Sequence, residues 1–375
     1  MPNQRLKSAR RIVVKVGSNV LTAADGLNLE AVEMLSAQIS TLVDHGLEVL
    51  FVSSGAMAAG LRKMGMQRRP EEVPQRQALA AMGQSSLMKA YETAFARHGK
   101  KVAQILLTGE DLNSRKRYLN ARNALNTLLD WQVVPIINEN DTVMVEEIKL
   151  GDNDNLSAMI TLLMDADFLI NLTDIDGLYD KDPRRHPDAA LIPRVENFKK
   201  SIERFAGDIP GALGRGGMLS KIKAAKKITA AGVPMIIARG TQPDILSRLF
   251  SGECCGTYFV PRAKRLNSRK CWIAYTLTPK GTLQLDDGAA EAVLHHGKSL
   301  LPSGIVAVEG EFGVGAPAAL ASREGGTIGI GLVNYSAKDI RLIMGSKSGQ
   351  IKERLGTKPY DEVIHRDNLV ITEAC

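Results

Sequence analysis

The sequence predicts an α/β protein: a three-layer αβα sandwich with a mostly parallel sheet, followed by a small, mainly β C-terminal domain. Through the first two-thirds of the chain, apolar β-branched runs alternate with helical stretches, a pattern that favours parallel strands covered on both faces. Aromatic residues make up only 5% of the chain, which favours an α/β interior over an all-β one. Beyond about residue 260 the segments become short, glycine-rich and β-like.

The predicted strands of the large domain are apolar runs, at Arg11–Val16, Glu48–Val52, Val102–Leu107, Val133–Asn138, Asp167–Leu172 and Pro234–Ile237. Helices are predicted between them at Leu29–His45, Gln75–His98, Tyr118–Leu129, Asn155–Met164 and Met218–Ala231. Gly46 is expected to end the first of these helices. Ligands of parallel sheets bind at the carboxyl ends of the strands, so the chemistry is expected in the loops that follow them.

The chain has 375 residues, which is too long for one ordinary domain. We therefore predict a large domain at 1–260, a basic linker at 261–278, a small domain at 279–357 and a C-terminal tail at 358–375. Strands in the last part of the chain are predicted at Thr282–Leu285, Gly304–Glu309, Gly326–Val333 and Leu369–Thr372, with a helix at Asp286–His296.

Charge and cysteine content argue against several classes of protein. The net charge of +7 is spread along the chain without a long basic tail, which favours a mildly basic enzyme with an anionic substrate over a nucleic-acid-binding protein. The four cysteines form no Cys-x-x-Cys pair, so structural zinc and a disulfide framework are not expected. Signal-peptide and membrane-spanning patterns are missing, so a cytoplasmic location without membrane attachment is expected.

A lysine near the end of the first strand is the first candidate for chemistry. Lys15 stands inside an apolar run, directly before Val16, Gly17 and Ser18. A buried lysine is costly unless its amine finds a partner, and a phosphate at the sheet edge would be such a partner. The alternative is an edge-strand lysine whose amine reaches solvent. The adjacent glycine and serine favour the phosphate.

Two further segments supply small and polar groups after strands. Ser53-Ser54-Gly55 leaves backbone N–H groups open at a helix start, which suits a carboxylate or phosphate, although Ser/Gly turns are common. Ile137–Asp141 and Gly151–Asn155 are rich in asparagine and aspartate, which can bind the ammonium and α-carboxylate of an amino acid. Helix capping accounts for one of these residues but not for the whole cluster. Asp154 could also hold lysine ammonium groups in place.

Two loops have features of a nucleotide site. Asn171–Pro183 runs from a buried strand into an acidic turn. Tyr179 stands where a calcium loop requires glycine, which argues against a calcium site. Because the turn follows the carboxyl end of a buried strand, a nucleotide-edge loop is favoured over an ordinary surface turn. Gly214–Lys221 places several glycines at a helix start, with Lys221 one turn in. Glycines let the backbone approach phosphates, and a helix N-terminus favours their charge. The alternative is a flexible capping loop.

Together, these motifs resemble the amino-acid kinase superfamily over about residues 10–260, and within it the branch that acts on L-glutamate. Residues at about 279–357 resemble the PUA domain. The resemblance implies ATP as co-substrate, Mg²⁺ as cofactor, and roles for individual residues. The implied catalytic residues are Lys15, Lys221 and Asp154; the implied glutamate-binding residues are Ser54, Asp141 and Asn153; and the implied ATP-binding residues are Lys15, Thr173, Asp174, Arg215, Gly216, Gly217, Met218, Leu219, Ser220 and Lys221.

The implied reaction is phosphorylation of the γ-carboxylate of L-glutamate by ATP, which gives L-glutamate 5-phosphate and is the first step of proline biosynthesis. The resemblance also implies a homo-oligomer, handover of the product to glutamate-5-phosphate reductase, and feedback inhibition by proline. Arg215 and Ser220 stand where many members have threonine. These departures affect the expected geometry of the ATP loop rather than the expected activity.

Two alternatives stay open. The first is a sibling kinase that acts on acetylglutamate, aspartate, carbamate or a nucleoside monophosphate; the Gly-Asp-Asn-Asp segment and the C-terminal β module argue against it. The second is an RNA-binding protein that recognises RNA through the C-terminal module. Residues 279–357 contain only Phe312 and Tyr335 as aromatics and no dense basic run, so RNA binding is less favoured there than a structural or regulatory role.

Overall fold

The chain divides into two units, Met1–Arg265 and Leu266–Cys375, each built around its own apolar core. The computed structural model describes residues 2–23, 26–66, 68–143, 153–198, 202, 217–262 and 265–371. No helix within these ranges is both long and apolar enough to cross a bilayer.

The strands of the N-terminal unit are β1 (Arg11–Val16), β2 (Thr22–Ala23), β3 (Gly26–Leu27), β4 (Glu48–Val52), β5 (Lys101–Leu107), β6 (Val133–Glu139), β7 (Phe168–Thr173), β8 (Arg194–Val195), β9 (Met235–Arg239) and β10 (Thr257–Phe259). Among the described residues, eight of them form one sheet with the order β5-β6-β4-β1-β7-β9-β10-β8. The first six strands of that order run parallel, and β10 pairs antiparallel with β9. The predicted mostly parallel sheet is therefore confirmed.

The helices of this unit are α1 (Pro2–Lys7), α2 (Ser18–Leu21), α3 (Leu29–Asp44), α4 (Ala56–Lys63), α5 (Val73–Ala96), α6 (Gly109–Asn113), α7 (Arg115–Asp130), α8 (Asn153–Leu163), α9 (Met218–Ala230) and α10 (Ile245–Ser251). Val14 of β1 packs in one cluster with Leu35 of α3 and Leu87 of α5. The next residue, Lys15, contacts Asp154 of α8 on the opposite face, because side chains alternate along a strand. Helices thus cover both faces, and the predicted three-layer sandwich is confirmed.

Two glycines allow α4 and α5 to pack with their backbones in close contact. A Cβ atom on Gly83 of α5 would lie 1.8 Å from the carbonyl oxygen of Ala56, and one on Gly60 of α4 would lie 1.9 Å from the carbonyl oxygen of Leu79. Any larger side chain at either position would force the helices apart. Because α4 begins directly after the Ser53–Gly55 loop, this contact also fixes α5 beside that loop.

The C-terminal unit is a mainly β module. Its described elements are α11 (Ser268–Tyr275), β11 (Gly281–Leu285), α12 (Asp287–His296), β12 (Ile305–Gly310), β13 (Pro317–Ala321), β14 (Thr327–Leu332), α13 (Ala337–Ile343), α14 (Ile351–Leu355) and β15 (Leu369–Ile371). The described strands form a sheet with the order β12-β11-β13-β14-β15, in which β11 and β13 are parallel and the other neighbours are antiparallel. This agrees with the predicted small β domain.

Several elements differ from the sequence-based prediction. Helix α11 occupies part of the predicted linker and buries Cys271, Trp272 and Ile273, an apolar group that the surrounding basic residues obscure. The strand predicted at Leu369–Thr372 is present as β15, which pairs with β14 at the sheet edge, although the predicted boundaries place this segment in the tail. Asp167, predicted as the start of a strand, instead precedes β7, and its carboxylate accepts hydrogen bonds from the backbone N–H groups of Arg10 and Arg11.

The close contact between α4 and α5 predicts that Gly83→Ala destabilises the protein. Alanine in a helix interior normally gains about 1 kcal/mol over glycine, but a Cβ atom 1.8 Å from the backbone oxygen of Ala56 should cost about 3 kcal/mol, the upper end of the usual overpacking range. The urea midpoint of the full chain should therefore fall. Ser85→Ala, at an exposed position on the same helix, is the control and should change stability by less than about 0.5 kcal/mol. An unchanged or higher midpoint for Gly83→Ala would contradict the described packing.

Candidate active site

The loops that follow four parallel strands meet along the edge of the sheet that is formed by the carboxyl ends of the strands. Gly17 follows β1, Ser54 follows β4, Asp174 follows β7, and Asp141 begins a 3-10 turn (Asp141–Val143) after β6. The backbone N–H of Gly17 donates to the carbonyl oxygen of Leu172, at 2.9 Å, which ties the loop after β1 to the neighbouring strand β7. This is the edge at which open α/β sheets bind ligands.

Asp154, in the first turn of α8, connects three neighbouring elements at this edge. Its Oδ1 atom accepts hydrogen bonds from Nζ of Lys15 (2.5 Å) and from Nδ2 of Asn171 (2.8 Å). Its Oδ2 atom accepts from Oγ of Ser220 (2.6 Å) and from Nζ of Lys221 (3.1 Å). Lys15 and Asn171 are register partners on β1 and β7, while Ser220 and Lys221 lie in the first turn of α9. One carboxylate thus holds two ammonium groups side by side.

Burial makes this arrangement energetically demanding. Asp154 has no solvent exposure, and Lys15 and Lys221 are also buried. Burial alone would raise the pKa of Asp154, but the positive charges of Lys15 and Lys221 hold it well below its usual range. The carboxylate is therefore ionised at neutral pH. Removing one member of a buried ion pair leaves the other uncompensated, which typically costs about 3–5 kcal/mol.

A chain of amide groups lies beside this ion cluster. Nδ2 of Asn153, the residue before Asp154, donates to Oγ of Ser54 and to Oδ1 of Asn138, each at 3.0 Å. Nδ2 of Asn138 in turn donates to Oε1 of Gln84 on α5, at 2.9 Å. Oδ1 of Asn153 is buried and has no hydrogen-bond partner among the described residues. Such an acceptor suits a ligand that carries an N–H group.

Polar groups also cluster at the end of β7. Asp174 accepts hydrogen bonds from Nδ2 of Asn19 and from Oγ1 of Thr173, each at 3.0 Å. Burial acts to raise the pKa of Asp174, yet the hydrogen bond from Asn19 and the other donors lower it overall. Two residues further on, Asp176 accepts from Tyr179 (2.9 Å) and pairs with the guanidinium group of Arg239 (3.0 Å).

The structure brings most of the predicted site residues to this edge of the sheet. Lys15, Asp154, Ser220 and Lys221 meet in the ion cluster, and Ser54 bonds directly to Asn153. Thr173 and Asp174 end β7, and Asp141 follows β6. Gly217 is the N-cap of α9, which continues through Met218, buried, and Leu219, exposed. Arg215, Gly216, Gly151 and Asp152 lie outside the described residues. The individual roles of all these residues remain predictions.

Four polar residues of the site received no role from the sequence: Asn19, Gln84, Asn138 and Asn171. Asn138 and Asn171 stand inside the predicted motifs, at the ends of buried strands, and a buried amide in such a strand is a signal of a polar partner. Gln84 has no comparable signal, since it lies in the middle of a long helix. Asn19 follows the Gly17 turn, and only the fold places it near Asp174.

A partly buried lysine joins α8 and α9 further from the sheet edge. Nζ of Lys227 donates to Oδ1 of Asn155, at 2.6 Å. Burial lowers the pKa of Lys227 from the ordinary value of 10.5 to about 8. Asn155 is the third residue of α8, so this contact holds the second half of α9 against the helix that carries Asn153 and Asp154.

Comparison with known proteins gives a consistent result. The sequence profile of the amino acid kinase family matches residues 10–239, and that of the PUA domain matches residues 281–355. A protein of Geobacter metallireducens named glutamate 5-kinase is 53% identical over 367 residues, which cover 98% of each chain. The glutamate 5-kinase of Syntrophus aciditrophicus is 50% identical over 368 residues, which cover 98% of this chain and 96% of its own.

The lowered pKa of Lys227 predicts a pH-dependent stability. Between about pH 8 and the ordinary lysine value of 10.5, the unfolded chain binds a proton that the folded chain does not. Stability therefore rises with pH through this window, and the penalty for burying the charge is largest below it. Relative to Lys227→Met, the wild-type free energy of unfolding should rise by about 2–3 kcal/mol between about pH 7 and about pH 10.

Denaturant unfolding of both proteins at the two pH values measures this difference. Lys223→Met, which removes an exposed lysine of the same helix, is the control and should show a difference that does not vary with pH. A pH-independent difference between wild type and Lys227→Met would contradict the burial of an uncompensated ammonium group.

Proposed function

The chain belongs to the amino acid kinase family, and we propose that it transfers the γ-phosphoryl group of ATP to the γ-carboxylate of L-glutamate. The products are L-glutamate 5-phosphate and ADP, and the reaction is the first step of proline biosynthesis. Relatives named glutamate 5-kinase align over nearly the whole chain at about half identity, which supports the choice of L-glutamate. The observation that carries the proposal is the pair of lysines held by Asp154 beside the Ser54–Asn153 pair.

The ion cluster is suited to the phosphates of ATP. Lys15 and Lys221 bring two ammonium groups to the end of the sheet. Gly217 is the N-cap of α9, and the backbone N–H groups of the first turn of this helix favour an anion beside Lys221. Thr173 and Asp174, at the end of β7, are proposed to line the nucleotide, together with residues 215–220. In this arrangement Lys15 and Lys221 contact the phosphoryl group that moves.

The amide chain is suited to the amino-acid end of L-glutamate. Oγ of Ser54 accepts a hydrogen bond from Asn153, so its own hydroxyl hydrogen is available for the α-carboxylate. Oδ1 of Asn153 is available for the α-ammonium group, and Asp141 is proposed to add a second acceptor. Because Asn153 and Asp154 are consecutive, the bound amino acid lies within reach of the lysine pair.

The reaction requires alignment and charge stabilisation more than proton transfer. A γ-carboxylate is already ionised at neutral pH, so no general base is needed. Its oxygen forms a bond to the γ-phosphorus of ATP while the bond from that phosphorus to the β,γ-bridging oxygen breaks and ADP leaves. Lys15 and Lys221 offset the repulsion between the two anions and stabilise charge on the transferring oxygens. Asp154 keeps both ammonium groups charged and in position.

Mg²⁺ is expected to accompany ATP. Both carboxylate oxygens of Asp154 already accept hydrogen bonds from protein donors. Within the described ranges, no group of three or more histidine, cysteine, aspartate or glutamate side chains is arranged to hold a metal. The described residues therefore do not form a protein cage for Mg²⁺, and the ion would be held through the phosphates of ATP, as is usual for this metal.

We propose a cytoplasmic homo-oligomer that is inhibited by proline, the end product of its pathway. An acyl phosphate hydrolyses readily, so direct handover to glutamate-5-phosphate reductase would protect the product.

The proposed function is tested by ADP release from MgATP in the presence of L-glutamate and hydroxylamine, which converts an acyl phosphate to a hydroxamate. Glutamate-dependent formation of ADP and hydroxamate in equal amounts is expected. The same assay with aspartate, acetylglutamate and carbamate tests the sibling activities. Turnover with one of these and none with L-glutamate would overturn the assignment of the substrate while leaving the ATP site in place.

The lysine pair predicts a large loss of rate in Lys221→Met. Removing one preorganised group that stabilises transition-state charge should lower kcat on the order of 10²-fold or more. The matched control is Lys223→Met, which removes the same charge from an exposed position two residues away and should keep near-normal turnover. Near-normal turnover in Lys221→Met would contradict the proposed mechanism.

A further inference from the structure

One backbone group determines which way the side-chain amide of Asn138 is oriented. The N–H of Glu139 donates to the side chain of Asn138 at 2.9 Å, and an N–H can donate only to the oxygen of that amide. The Asn138 oxygen therefore faces Glu139 and Asn153, and its nitrogen faces Gln84. It follows that Asn153 presents its nitrogen to Asn138, which leaves its buried oxygen available for a ligand.

Gln84 holds the far end of the same chain. Its Oε1 atom accepts the hydrogen bond from Nδ2 of Asn138, at 2.9 Å, and both residues are buried. If this acceptor is lost, the Asn138 nitrogen is left buried without a partner, which costs about 1–3 kcal/mol and favours displacement of the side chain toward another acceptor. The backbone N–H of Glu139 still requires the Asn138 oxygen, so the expected change is a shift of the Asn138 side chain and a weaker hold on the Asn153 nitrogen.

The resulting site has a donor and an acceptor side by side. The Ser54 hydroxyl can donate, and Oδ1 of Asn153, buried and without a partner among the described residues, can accept. A carboxylate needs donors and an ammonium group needs acceptors. This pattern matches the two charged groups on the α-carbon of an amino acid. A dicarboxylate without an amino group would leave the Asn153 oxygen buried and unpaired.

We propose that Gln84 is a positioning residue that makes the site select an α-amino acid over the corresponding dicarboxylate, by holding the Asn138 side chain in place and, through it, the amide of Asn153. The proposal rests on the proposed function, since it concerns the same substrate site. The α4–α5 contact at Gly60 and Gly83 supports it physically, because that contact holds Gln84 next to the end of β6.

The test compares L-glutamate with glutarate, which has the same two carboxylates but no amino group, in the hydroxamate assay. Wild type should prefer L-glutamate in kcat/KM by about 10-fold or more, the range of one hydrogen bond to a charged group. In Gln84→Met this preference should fall at least about threefold, through a higher KM for L-glutamate, while the KM for ATP and the rate with glutarate change little. Gln84→Ser, which removes the acceptor without adding bulk, should show the same fall in preference. It replaces Gln84→Met in the test if that variant does not fold.

Gln84→Glu is the matched control. It keeps an acceptor for Asn138, and the Gln84 nitrogen that it removes has no partner among the described residues, so the preference for L-glutamate should return. The proposal would be overturned if Gln84→Met lost kcat/KM equally with both substrates, or if Gln84→Glu were as impaired as Gln84→Met. Gln84 would then be a structural residue only. Failure of wild type to form hydroxamate with either substrate would overturn the proposed function itself.

Discussion

A buried carboxylate that binds two ammonium groups is the interaction on which the site depends. Asp154 lies without solvent exposure at the start of α8, and its partners come from β1, β7 and α9. None of these charges would be tolerated there alone. The order of the sheet, which places β1 next to β7, and the packing of α9 on α8 are therefore needed both for folding and for the cationic pair that can meet a phosphate.

The amide groups and the ion cluster lie side by side because each includes one of two consecutive residues. Asn153 and Asp154 are consecutive residues, so their Cα atoms are separated by about 3.8 Å. One side chain faces the amide chain of Asn138 and Ser54, and the other faces the lysines. In the proposed arrangement, a substrate held by its α-carbon groups at Asn153 would have its distal carboxylate close to the phosphoryl group. This proximity is what a reaction without a general base requires.

Much of this arrangement could be predicted from the sequence, because local signals were strong. Lys15 interrupts an apolar strand, and β1 and β4 have the predicted ends. The missed features depend on contacts between distant segments. Asn171 reaches Asp154 because it is the register partner of Lys15. Gln84 reaches Asn138 because glycines let the backbones of α4 and α5 come into contact. Strand β10 was missed because it has three residues and runs antiparallel at the far side of the sheet.

A double-mutant cycle on kcat between Asp154 and Lys221 tests most directly whether the carboxylate acts by holding the lysine pair. The variants are Asp154→Asn, Lys221→Met and the two combined, each checked for a folded structure by circular dichroism. If Asp154 works through the lysines, the combined variant should lose little more rate than the worse single variant, since groups that act as a unit are strongly non-additive. If the two losses multiply, Asp154 and Lys221 act independently, and the central role given to the buried carboxylate is wrong.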